Sequence, residues 1–289
     1  RTSAGCSRAG SQYAQTTAKH RGPLTAGLMI EWARQDKWQR GTPPTWSVRL
    51  AKIRLFARYL KQFEPETEVP EELTFGPERG RVAPHIFHDQ EVIDLLAAAR
   101  QIGPSGSIRP ATYETLFGLM ASTGLRVSEA LHLRDADVDL KRGLLTIRQT
   151  KFAKSRLLPV HPTTVAALTK YRKARARHVA ATADMPFLIS SRGRLLGKSL
   201  SDRQAHRVFN ALRDQLGWVN RGGHAAIRLH DLRHTFATLA LQNGVDIKTV
   251  SGMLGHFSAG FTLDTYAHVT TSAKREAAKT MGNILSGAV

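Results

Sequence analysis

Cysteine is nearly absent. The single Cys6 forms no internal disulfide and supplies no thiolate metal cluster, which suits a reducing interior. No apolar run approaches the roughly 18 residues that a membrane-spanning helix needs, which excludes that class. Acidic residues are scarce, 23 against 42 Lys and Arg, and they form none of the carboxylate clusters that hold magnesium. The chain starts at Arg1 rather than Met, which leaves room for an unknown length of chain before it, and no signal peptide is visible in what is present.

Positive charge is abundant. The 289 residues carry +19 with a pI near 10.8, while 42% apolar and 22% charged content are ordinary for a globular protein. The excess is spread along the chain. Residues 1–83 hold 14 Lys/Arg against 8 Asp/Glu, and residues 84–289 hold 28 against 15. A basic field over both parts points to a polyanion, nucleic acid first.

The stretch Glu64–Pro84, with four prolines and no apolar period, predicts a linker. It places an all-helical module at 1–66, a linker at 67–84 and a second domain at 85–289. In the module, Trp46, Leu50, Ile53, Ala57 and Leu60 recur as one helical face, and Leu28, Ile30 and Trp32 suggest an earlier helix. Arg54, Arg58 and Lys61 form a second stripe spaced to track a phosphate backbone, or an ordinary solvated face. In the second domain, Asp89 is placed as the cap of a helix with Val92, Leu95, Leu96 and Ala99 on one face. A further helix over Ala111–Ser122 stops at Gly124. Leu144–Gln149 and Arg156–Val160 read as a β-hairpin, and helical spacing returns over 163–178, 201–215, 231–243 and 246–254. The fold class is mainly α with a small antiparallel β-sheet.

Four segments could carry chemistry. Arg126 follows Gly124-Leu125 at a helix start that favours anions, with Glu129 three residues on as an ordinary partner. In His230-Asp231-Leu232-Arg233-His234, helical spacing brings two imidazoles and a guanidinium to one face. Two histidines at i and i+4 also suit zinc, but Asp231 stands where a metalloprotease needs Glu, and Arg233 between them would repel a cation. Leu254-Gly255-His256 is followed ten positions later by Tyr266, and Lys151 and Lys154 lie on the hairpin turn. Together these make a set for metal-free phosphodiester transesterification. Two arginines grip non-bridging oxygens, histidines bond phosphate or move a proton, a lysine protonates the leaving alkoxide, and a tyrosine attacks phosphorus. No cofactor is called for.

The segments TGLRVSEALHL, TKFAKSRLLPV, HDLRHTFAT and LGHFSAGFTLDTYAHV, in that order from about His85 onward, resemble the tyrosine recombinases of the phage integrase family. The resemblance implies that Arg126 and Arg233 are the catalytic arginines and Lys151 the general acid, with Lys154 a competitor that would otherwise bind DNA. His230 acts on the phosphate or the tyrosine proton, and His256 holds the family's His/Trp position. Tyr266 is the nucleophile that forms a 3′-phosphotyrosine, while Glu129 and His234 support the site. The family also implies a two-lobed clamp on double-stranded DNA whose first module is the core-binding domain, with Arg54, Arg58 and Lys61 on DNA. It further implies a homotetramer on two sites, accessory DNA-bending proteins, no membrane and a prokaryotic cytoplasmic setting. The segment Thr271–Val289, with Ala277, Ala278, Met281 and Leu285 apolar, would dock on a neighbouring subunit or on its own. A type IB topoisomerase shares the chemistry, and a regulator that binds DNA without cutting shares the charge.

Overall fold

The computed structural model describes residues 22–35, 43–76, 82–104, 106–148, 155–191, 193–256 and 258–266. Contacts divide the chain into two units, Arg1–Arg81 and Val82–Val289. Helix α1 of the first unit, Ala26–Arg34, is capped by Thr25, whose hydroxyl accepts from the Leu28 amide at 3.3 Å. Helix α2, Pro43–Leu60, opens on two prolines, which the first turn tolerates because its amides have no partner there. Met29, Trp32 and Ala33 of α1 pack against Leu50 and Ala57 of α2, with Ile53, Val69 and Phe75 around them.

Two expectations change in this unit. Arg54 is not on a DNA-facing stripe. It is buried, and its guanidinium donates to the carbonyls of Pro70 at 3.0 Å, Glu71 at 2.8 Å and Glu72 at 3.0 Å. Those bonds, the buried Thr67, the packed Val69 and Phe75 and the bond from Ser47 to the Gly76 carbonyl fasten the segment expected as a linker through residue 76. Through residue 76 the segment is a strap packed on α2. Residues 82–84 belong to the second unit, where the Ala83 carbonyl accepts from the Gly223 amide at 2.9 Å.

In that second unit, α3 spans Asp89–Ala99, α4 Arg109–Thr123 and α5 Val127–Leu131. His88, not Asp89, is the cap of α3: its amide donates to Glu91 Oε2 at 2.8 Å, so the carboxylate that matters lies three residues in. A three-stranded antiparallel sheet follows in the order β1 (Val138–Asp139), β2 (Leu144–Ile147), β3 (Arg156–Pro159), with Ile147 opposite Arg156. Strand β1 is too short to show a period, which is why the sequence reading missed it. The later helices are α6 (Pro162–Ala176), α7 (Asp202–Leu216), α8 (Asp231–Gln242), α9 (Ile247–Leu254) and α10 (Ala259–Thr265). Helix α10 was not anticipated: it has under two turns, and Thr262 is the residue it buries.

Helix α4 is the spine of this unit. It buries Tyr113, Leu116, Phe117, Leu119 and Met120 and packs on α3, α6 and α8. It ends where the sequence places the stop, at Gly124 with φ of 65°. A Cβ there would fall 2.5 Å from a Phe236 ring carbon and 2.7 Å from Leu254, so the glycine lets α8 and α9 close on the end of α4. No helix among the described residues is long and apolar enough to cross a membrane.

Candidate active site

The end of α4, the cap of α5, the first turn of α8 and the C-terminus of α9 converge, and each contributes to one cationic centre. Arg126 caps α5. Its amide donates to Glu129 Oε2 at 3.0 Å and its Nη1 to Glu129 Oε1 at 2.8 Å, leaving the side chain one-third exposed. Arg233 is buried in the first turn of α8, where Nη1 donates to the Gly124 carbonyl at 2.7 Å and Nη2 to the Leu254 carbonyl at 2.8 Å. Arg126 Nη1 reaches the same Leu254 oxygen at 3.3 Å. That carbonyl, an unpaired acceptor at a helix C-terminus, brings two like charges to one point.

This arrangement costs energy that the site retains. Burial, then the charge of Arg126, lowers the Arg233 pKa to about 9. Among the described residues no carboxylate contacts Arg233: its direct acceptors are two carbonyls, and the charge of Glu129 helps from further off. Burial pushes the Glu129 carboxyl upward, but hydrogen bonds from Arg156 and Arg126 outweigh it and hold it ionised below the usual range. Beside Arg126 lies a cleft of about 540 Å³ lined by Ser128, His132, Arg134, Thr146 and Arg148.

Tyr266 follows α10 and is buried, packed with Ala237, Val250 and Leu254. Burial raises its pKa to about 12 against the opposing pull of Arg233, so the phenol keeps its proton at neutral pH. Its hydroxyl lies 2.9 Å from His234 Nδ1. The sequence offers His230 for the phosphate or the tyrosine proton and His234 as support; the imidazole that touches the phenol is that of His234, which leaves the phosphate to His230. His230 stacks edge-on against His234 with centroids 5.0 Å apart. Burial, followed by neighbouring positive charge, lowers both to about 4, so both are neutral at pH 7. His256 is lowered to about 3 by burial and then Arg233, and its Nδ1 lies 2.6 Å from Thr262 Oγ1.

The structure therefore brings Arg126, Glu129, His230, Arg233, His234, His256 and Tyr266 into one neighbourhood within the second unit. Lys151 and Lys154 lie outside the described residues, as do the terminal residues 271–289. Of the basic stripe on α2, Arg58 is exposed and pairs with Glu72 at 3.0 Å, and Lys61 is exposed after the helix end. Sequence reasoning missed Arg156, which binds Glu129 through both terminal nitrogens. Strand alternation held the signal: Arg156 shares the face of buried Leu158, while Leu157 between them is 65% exposed.

Residues 86–273 match the phage integrase family. A Sinorhizobium fredii protein named as an integrase/recombinase is 41% identical over 223 residues, 75% of this chain and 69% of its own length. Tyrosine recombinase XerA of Pyrococcus furiosus is 30% identical over 250 residues, 84% of this chain and 78% of that protein. Among solved structures, the Tn1549 transposon integrase in complex with transposon right end DNA shares the fold at a TM-score of 0.67. It has 18% identity and covers 90% of this chain and 86% of its own. With arginines, histidines and a tyrosine from distant segments gathered in one centre, a family match over residues 86–273 and relatives at this level of identity, the chain belongs to the phage integrase family of tyrosine recombinases.

Proposed function

We propose that this chain is a site-specific DNA recombinase that cuts and rejoins strands through a 3′-phosphotyrosine on Tyr266. The observation that carries the reading is the pair Arg126 and Arg233 meeting at the Leu254 carbonyl, with the Arg233 charge unpaired among the described residues. Such a pair is suited to an anion with two non-bridging oxygens. It stabilises charge that grows when phosphorus becomes five-coordinate, an effect of roughly 10²–10³ per donor in comparable oxyanion sites.

The proposed step balances as follows. Tyr266 Oη forms a bond to the scissile phosphorus while the bond to the 5′ oxygen breaks. The phenol proton passes to a neutral imidazole, His234 being the one in contact, and the departing 5′ alkoxide takes a proton from Lys151. Rejoining reverses each transfer when a 5′ hydroxyl from another strand attacks the phosphotyrosine. His230 and His256 line the same centre and bond the phosphate, and no step calls for a metal. The first unit serves as a core-binding domain on duplex DNA, using Arg58 and Lys61. Four copies work on two sites, with DNA-bending proteins as accessory partners.

Covalent capture tests this. The chain is mixed with a randomised duplex library carrying trapping nicks, washed in hot detergent, and surviving adducts are sequenced and mapped by mass spectrometry. Adducts on Tyr266, absent in Tyr266→Phe while native binding persists, are the expected result. Tight binding without any adduct would sink the enzyme reading in favour of a DNA-binding regulator. Strand exchange between two different duplexes separates recombination from topoisomerase relaxation.

A further inference from the structure

Glu129 serves two guanidiniums. Its Oε2 accepts from the Arg126 amide at 3.0 Å and from Arg156 Nη2 at 2.9 Å, and its Oε1 from Arg126 Nη1 at 2.8 Å and Arg156 Nη1 at 3.1 Å. Four donors on one carboxylate use its full acceptor capacity. Arg156 stands at the head of β3, on the strand face shared with buried Leu158, and its side chain is 14% exposed. Its Nε donates to the Met253 carbonyl at 3.0 Å, three residues before His256. The guanidinium passes so close to the end of α9 that a Cβ on Gly255 would sit 2.5 Å from Nη1, and Gly255 itself has φ of 62°. Both the left-handed turn and the absent side chain make room for this one arginine.

We propose that Arg156 is a positioning residue that divides the Glu129 carboxylate with Arg126 and so keeps Arg126 aligned for a phosphodiester. The proposal rests on the recombinase reading. Arg156 is held away from the cleft by its own three acceptors, so it does not grip substrate. Its effect is through geometry. With Arg156 present, Glu129 is shared, and the Arg126 side chain bonds it through Nη1 alone. Without it, the carboxylate turns fully to Arg126 as a closed two-point pair, the arrangement guanidinium and carboxylate prefer. The same side chain ties three pieces of the site together: strand β3, the cap of α5, and the C-terminus of α9 beside His256.

The test uses the full chain and a nicked duplex carrying the site recovered by covalent capture. Adduct formation at saturating DNA and DNA affinity are measured for wild type, Arg156→Met, Arg156→Lys, Glu129→Gln and the double variant Arg156→Met/Glu129→Gln. Arg156→Met should slow adduct formation about 100-fold, the scale of a small misplacement in a reacting group, with affinity within about threefold of wild type. Arg156→Lys keeps charge but not the fork and should recover less than about a tenth of the wild-type rate. The double variant should be no slower than the slower single variant, because both changes act through one carboxylate. Costs that multiply in the double variant, a matching collapse of DNA affinity, or a wild-type rate in Arg156→Met would each overturn the proposal. Should Arg156→Met fail to fold, Arg156→Lys paired with Glu129→Gln gives the same coupling. A wild type that captures no DNA overturns the recombinase reading and this one with it, whereas capture by wild type with unaltered Arg156 variants overturns this one alone.

Discussion

Two arginines of the second unit, Arg175 and Arg233, are among its largest fully buried side chains, and they are buried in opposite ways. Arg175 of α6 pairs with Asp135, donates to the Phe187 carbonyl at 3.0 Å and stacks its guanidinium 5.2 Å from the Phe187 ring centroid. Its charge is matched where it stands. Arg233 has two carbonyls and a second arginine for company. Taking an ion out of water costs several kcal/mol, and a partner offsets that cost only in good geometry. The fold gives Arg175 a carboxylate in direct contact and gives Arg233 none, a place that the phosphate of the proposed reaction would fill. A buried arginine with a carboxylate reads as architecture, and one without reads as a waiting anion site.

The comparison can be broken at either arginine. The largest effect is expected from Arg233→Met, which should cut adduct formation roughly 10³-fold. Its thermal midpoint should stay level or rise, since an unpaired buried charge is removed. A fall in stability with normal cleavage would reverse the roles assigned to the two residues. Arg175→Met is the counterpart. It should destabilise the unit by about 3 kcal/mol in urea unfolding, because Asp135 loses its closest partner, while folded molecules still cleave.

Acid sharpens the contrast more gently. His85, His230, His234 and His256 all have pKa values lowered in the fold, the last three to about 4, 4 and 3. Between pH 6.5 and 4 the unfolded chain therefore binds protons that the folded chain refuses, and stability falls as pH falls through that window. Glu91 and Glu129, held below their usual value of 4.5, add their loss only further into acid. Urea midpoints measured from pH 7 to 4.5 should decline, and His234→Gln should flatten the slope. A flat wild-type profile would contradict the buried, neutral histidines.

The smallest effects belong to the first unit, where the same contrast recurs between Arg54 and Arg58. Arg54→Met should lower stability by about 1–3 kcal/mol, as three strap carbonyls lose their donor, without altering the salt slope of DNA binding. Arg58→Ala should leave stability within about 1 kcal/mol, since its pair with Glu72 is exposed, and reduce the salt slope by about one. Equal salt slopes for both variants would remove Arg58 from the DNA contacts.

Periodicity found the long elements. The apolar face of α2, the stop of α4 at Gly124 and the β2–β3 hairpin were all legible, because burial repeats with a helix or strand period. Short elements were not: β1 and α10 are held by tertiary contacts that have no local signature. Residue types named the candidates that the fold gathers, but their partners did not appear. Nothing local shows that Arg54 turns inward to strap carbonyls while Arg58, one turn on, stays in water. Nor does a sequence show main-chain oxygens, and the shared acceptor of the site is the carbonyl of Leu254.

That carbonyl also orders events in time. Arg126 and Arg233 emerge from the ribosome well before residue 254, and until α9 forms they are basic side chains with no common acceptor. Joining the two arginines at a late, distant backbone atom makes their meeting a late acquisition of the chain, and a chain truncated within α9 keeps both charges without the acceptor they share.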